Sequence, residues 1–185
     1  MEQPGVRDPA PEPLRLVQDL VNTVDLESGP DELATPDALT AWLRARGVDS
    51  PDLGADGLAD ALALREALRD VCSAHAGADL PAETLETLDR LLARGPLRLT
   101  FDPLGAAALH PVDGLTGVPA LTARVAAAVA AATADGTWQR LKACAADTCR
   151  WVYYDRSPAG RSRWCSMAIC GSRAKMRTYR KNRVS

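Results

Sequence analysis

Cys144-Ala-Ala-Asp-Thr-Cys149, a fifteen-residue gap, then Cys165-Ser-Met-Ala-Ile-Cys170: this stretch decides how the chain is built. Two cysteines a few residues apart can turn back to offer both thiolates to one ion, and two such pairs complete the tetrahedron that zinc prefers. The equal gap in both pairs, with a hairpin expected between them, makes the pattern specific. A tail of about 45 residues cannot bury much core by itself, and a metal is the usual substitute. Two disulfides, or four unrelated buried thiols, are the competing readings, and a reducing compartment favours metal. Four thiolates would close the coordination shell, so the expected ion is one structural Zn2+, not a catalytic one.

Working outward, charge divides the chain near the same place. Residues 1–140 hold 11 Arg, no Lys and 22 acids, a balance of −11, whereas residues 141–185 hold 11 basic residues against Asp147 and Asp155, a balance of +9. The net −2 of the 185 residues conceals this split. A basic segment behind an acidic body points to a polyanion partner, or to self-association of the two halves. Six of the eight aromatic residues follow Gly136.

Periodicity predicts a mainly α architecture with one small β-hairpin. Residues 1–13, with four prolines, read as a flexible leader. Residues 14–136 read as a helical domain. Leu16, Val17, Leu20, Val21 and Val24 lie on one helical face, and Thr35-Pro36-Asp37 opens a second helix that Gly47 stops. A long helix is expected over 57–76, another from Pro81 to Gly95, and a last over 117–134. Between them Leu97, Leu99 and Phe101 alternate before a turn at Pro103-Leu104-Gly105, which predicts a hairpin. Residues 137–185 form the third unit, with Gly136 as the hinge. No run approaches the roughly 18 apolar residues a membrane span needs, and the N-terminus lacks a secretory pattern, so the cytosol is expected.

From Ser166 to Arg183 the sequence reads as a helix starting inside the zinc site, with Met176 and Tyr179 free to pack on the knuckle. Arg173, Arg177 and Arg180 share a face, and Lys175, Lys181, Arg183 and the upstream Arg163 complete the candidate nucleic-acid contacts. Such a helix fits a DNA major groove; docking on an acidic protein is the rival. Trp151, Tyr153 and Tyr154 could stack on unpaired bases, favouring RNA, or form the finger's own core.

Arg65 shares a helical stripe with Ala61, Leu68 and Cys72, so its guanidinium must be paired or open onto a cavity. A salt bridge to Asp19 or Asp25 is one reading. A pocket for a small anionic effector, with Asn22 as polar neighbour and Trp42 as wall, is the other. His75, His110 and Cys72 lack partners at convincing spacing, and with no phosphate loop or carboxylate dyad no enzyme is expected. No heptads indicate a homodimer.

The run Cys144-x4-Cys149-Arg150-Trp151-Val152-Tyr153-Tyr154-Asp155-Arg156-Ser157, then Arg161 to Lys175 through Trp164, Cys165, Cys170 and Arg173, resembles the CGNR zinc-finger family across nearly all of residues 141–183. Asn22-Thr23-Val24-Asp25, Leu33-Ala-Thr-Pro-Asp-x-Leu and Leu64 to Arg69 are similar to the ABATE domain that precedes that finger. The resemblance implies a bacterial, stress-associated transcriptional regulator whose four cysteines ligate zinc and whose finger binds nucleic acid. One position departs: the motif here is Cys170-Gly171-Ser172-Arg173, with Ser where the family has Asn.

Overall fold

The computed structural model describes residues 7–184, without the side chain of Val184. Six α-helices run in order: α1 Leu14–Val21, α2 Pro36–Arg44, α3 Ala55–Ala74, α4 Ala82–Leu92, α5 Gly117–Ala134 and α6 Ser172–Val184. Two antiparallel hairpins punctuate them, β1 Leu97–Phe101 with β2 Ala107–Pro111, and β3 Leu141–Ala143 with β4 Val152–Tyr154. The architecture is therefore mainly α, as the periodicity predicts. Thr35 caps α2 by accepting from the Ala38 amide, with Pro36 at the first helical position. At Gly95 the chain crosses α5 so closely that a Cβ would stand 2.7 Å from the Ala123 amide nitrogen, which demands glycine there.

Helix α5 is central. It packs on α1, α3, α4 and the first hairpin, burying Val118, Leu121, Val125 and Ala132. Its 18 residues are long and apolar enough, by length and composition, to cross a membrane. That corrects the sequence expectation of no such stretch: the alanines around Val118, Leu121, Val125 and Val129 lengthen the apolar run, and here they allow close packing.

One hydrophobic core includes Leu14, Val17 and Leu20 of α1, Leu64 and Leu68 of α3, and Leu141, Val152 and Tyr154 of the basic segment. Composition changes at Gly136, but packing crosses that boundary. The second hairpin also sits elsewhere than expected. Its strands flank the first cysteine pair, with Leu141 opposite Tyr154 and Ala143 opposite Val152, and do not lie between the two pairs.

The leader expected over 1–13 falls partly outside the described residues, since 1–6 are not among them. Residues 7–13 are tied down. The Gln18 side chain accepts from the Ala10 amide at 2.7 Å, and Arg156 donates to the Pro9 carbonyl at 2.8 Å. The prolines limit secondary structure but leave the main chain able to bond elsewhere.

Candidate metal centre and nucleic-acid interface

The four cysteines are brought together by three short devices. Cys144 follows β3, Cys149 closes a turn by donating its amide to the Ala146 carbonyl, and Cys165 precedes, while Cys170 lies within, a π-turn over Met167–Gly171 that runs directly into α6. Ser166 caps that turn by accepting from the Ile169 amide. Gly171 lets the Met167 side chain and the Trp164 ring lie close over the turn, where a Cβ would stand 2.8 Å from the Met167 sulfur and 3.2 Å from the ring. Ser172, the residue that departs from the family pattern, donates its hydroxyl to the Met167 carbonyl at 3.1 Å and so ties the start of α6 to the π-turn.

All four Sγ atoms lie within 4.8 Å of one another, with Cys149–Cys165 and Cys165–Cys170 both at 3.7 Å. A Zn–S bond of about 2.3 Å in a tetrahedron places sulfurs roughly 3.8 Å apart, whereas a disulfide needs about 2.05 Å. The spacing thus fits one tetrahedral metal ion and no disulfide. Hydrogen bonds from the Cys149 and Cys165 thiols draw Cys144 far below its ordinary range, while the same Cys144 contact pushes Cys149 up to about 12. A bound ion would be held by all four sulfurs as thiolates, so its uptake would release the protons the free thiols carry. Trp151, Tyr153 and Trp164 pack around the sulfurs.

A buried ion pair braces the loop between the cysteine pairs. Lys142 donates to Asp155 Oδ2 at 3.1 Å, and the Ser157 and Ser162 amides donate to the same carboxylate at 3.1 and 2.8 Å. Burial alone would raise the Asp155 carboxyl; the hydrogen bonds from Ser157 and Ser162 outweigh it and hold Asp155 well below the usual carboxylate range.

The body grips this finger mainly through its main chain. The Asn22 amide straddles Val152, donating to its carbonyl at 2.8 Å and accepting from its N–H at 2.9 Å. Arg69, fully buried, donates to the Val21 carbonyl at 2.7 Å and the Arg150 carbonyl at 3.2 Å. Arg150 adopts a left-handed backbone (φ +46°), and its guanidinium pairs with Asp70 at 2.6 Å. His75 Nδ1 lies 2.8 Å from the Leu141 carbonyl and its ring stands edge-on to Trp138. Arg7 stacks over Tyr153 and donates to the Trp164 and Cys165 carbonyls at 3.1 and 2.7 Å. Arg69 and Arg7 were missed by sequence reasoning. The i+4 spacing of Arg69 from Arg65 was the available signal for the first; nothing local marks the second.

The three residues proposed for an effector pocket are not gathered into one. Arg65 pairs with Asp31 at 2.8 Å and with Glu66 at 2.8 Å, and it reaches Thr23. Asp19 and Asp25 are not these partners, because the chain after α1 doubles back through a Val24–Asp31 bridge and carries Asp31 to the guanidinium. Trp42 lies under the Arg46 guanidinium at 3.7 Å. Asn22 instead borders a polar cavity of about 340 Å³ at the seam between body and finger, shared with Arg7, Arg15, Arg46 and Trp151.

Helix α6 stands in solvent. Arg173, Lys175, Arg177, Arg180, Lys181 and Arg183 are all exposed, and so are Met176 and Tyr179, which do not pack on the knuckle as the sequence suggested. The knuckle is already filled by Trp151, Tyr153 and Trp164. Arg173, Arg177 and Arg180 border one groove together with Ile169 and Met176. Arg173 also pairs with Glu27 of the body. Arg163 is exposed but faces a separate cavity beside Arg150 and Asp147.

The CGNR zinc finger model matches residues 140–183, and the ABATE model, described as "Putative stress-induced transcription regulator", matches residues 14–147. No curated protein matches the chain. The two matches overlap across β3, where the packing shows body and finger to be continuous, and the larger covers well over half of the sequence. The chain belongs to the ABATE family and ends in a CGNR zinc finger whose four cysteines are placed to bind one metal ion.

Proposed function

We propose that the protein is a transcriptional regulator that binds duplex DNA through α6, with one zinc ion as a structural anchor. The observation that carries this reading is the position of the basic helix. Thirteen residues, about 20 Å of helix, leave the zinc site with their basic side chains exposed and Arg173, Arg177 and Arg180 on one face. A polar helix this short is marginal in water alone, and a polyanion would supply the missing stabilisation. Duplex DNA is preferred over unpaired strands or RNA because Trp151, Tyr153 and Tyr154 are buried and cannot stack on bases. The zinc ion serves the fold and not a reaction, since four thiolates would leave it no open position.

The experiment is selection from random duplex DNA by the zinc-loaded protein, with and without a chelator, followed by salt titration of the enriched site. The triple substitution Arg173→Ala, Arg177→Ala, Arg180→Ala is expected to weaken binding and to reduce the slope of log K against log salt by about 3. Unchanged affinity and slope would overturn the assignment of α6. Binding to an acidic protein in preference to DNA would favour the rival docking reading. Effector sensing by the body fits the seam cavity better than the Asn22, Trp42 and Arg65 trio: its lining mixes Arg7, Arg15 and Arg46 with Asp19 and Glu32, so a small polar molecule carrying both donors and acceptors would touch body and finger together.

A further inference from the structure

The first hairpin leaves its apolar face uncovered. Its register places Leu97, Leu99 and Phe101 opposite Pro111, Leu109 and Ala107, so these six side chains share one face. That face looks into solvent: Leu99 is 54% exposed, Phe101 68% and Leu109 40%, and Leu104 at the turn is 94% exposed. The opposite face carries Arg98, Thr100 and His110, which border a cavity against Ala120 and Arg124 of α5. An amphipathic hairpin in a monomer would be expected to point its apolar face at the core, and this one points it outward.

We propose that this face is a self-association surface, on which the hairpin of a second copy of the chain stacks apolar face to apolar face. Three observations select a second copy as the occupant. The four exposed side chains amount to roughly 500 Å² per copy, taking about 200 Å² for each large side chain, and two copies therefore bury about 1,000 Å² from these residues alone, near the size a specific interface needs. The face carries no charged side chain that would ask for a complementary partner. A two-stranded hairpin is marginal in water; stacking two of them gives a four-stranded, two-layer unit with sheets about 10 Å apart.

The test uses the full-length, zinc-loaded protein. Sedimentation equilibrium over a concentration series is expected to show a reversible monomer–dimer equilibrium. Phe101→Glu and Leu109→Glu change exposed side chains, so zinc content and circular dichroism should stay at the parent level, while the dimer dissociation constant rises about 100-fold or more. A photo-crosslinking residue at Leu104 should join residues 97–111 of another copy. A wild-type chain that remains monomeric across the series would assign the face to a different protein and overturn the proposal. So would a dimer that survives Phe101→Glu, or cross-links that map outside the hairpin.

Discussion

Replacing Asn22 by Ala should destabilise the zinc finger and the helical body together. The Asn22 amide is buried and makes two hydrogen bonds to Val152, at 2.8 Å to the carbonyl and 2.9 Å from the N–H. After truncation the Val152 carbonyl keeps the Gln18 side chain at 3.1 Å, but its N–H is left buried without a partner. Two net hydrogen bonds at about 1 kcal/mol each, plus about 1 kcal/mol or more for the orphaned donor, give a loss of about 3 kcal/mol. For a chain of this size that is a fall in Tm of roughly 6–12 °C. The assay is thermal and urea unfolding of the zinc-loaded protein, followed by zinc release to a chromogenic chelator, which reports the finger, and by far-UV circular dichroism, which the helices of the body dominate. The two signals should move together. Asn22→Asp keeps the acceptor but turns a second carboxylate oxygen toward the Val152 carbonyl, and it should be at least as damaging. A loss below about 1 kcal/mol, or separate transitions of which only one shifts, would refute the argument that α1 and β4 form one cooperative unit.

Other outcomes follow from the same geometry. Arg69→Met removes a fully buried guanidinium and strips the Val21 and Arg150 carbonyls of their donor, so chemical denaturation should show a loss of about 3–5 kcal/mol. Asp155 titrates below the usual range in the fold and near pH 4 when unfolded. Its contribution is thus present above about pH 4 and is lost as pH falls through the folded value, and Asp155→Asn should remove that acid sensitivity from the pH–stability profile. Zinc uptake must displace protons from thiols held up by their neighbours, such as Cys149, so affinity measured by chelator competition should rise with pH and calorimetry should record proton release.

Local features were readable from the residues because the signals are local. The Thr35-Pro36-Asp37 cap, the alternation at Leu97, Leu99 and Phe101, and the two cysteine pairs each express their physics within a few positions. The failures share a different cause. Asn22 finds Val152 across 130 residues, and Arg69 finds Arg150 across 81, and no periodicity encodes such a pairing. Asn22 was singled out as a polar residue near Arg65, but its amide is consumed in extending the β4 backbone. Met176 and Tyr179 look like packing residues by spacing, yet the knuckle they would cover is already closed. For the hairpin, alternation revealed an apolar face but not its direction, since a period of two fixes which residues face together and leaves open which side is buried.

The manner in which the body holds the finger links its conformation to the metal. Arg7 donates to the carbonyl of Cys165, itself a ligand, and of Trp164 beside it, while Arg69 holds the carbonyl of Arg150 next to Cys149. If gathering the sulfurs fixes these carbonyls, metal binding and the grip of the body reinforce each other by the same free energy in both directions. Arg7→Ala removes two charge-assisted bonds from a half-buried site, and a coupling of about 1.4 kcal/mol would weaken zinc binding tenfold. Competition with a chromogenic chelator measures that directly, and chelation should in turn loosen residues 7–10, read by hydrogen exchange at Ala10. If Arg7→Ala lowers thermal stability but leaves zinc affinity unchanged, the strap merely holds the surface together. A matched loss in both would make the N-terminal segment part of the metal site's free energy, and give any ligand of the seam cavity a route to the helix that α6 presents.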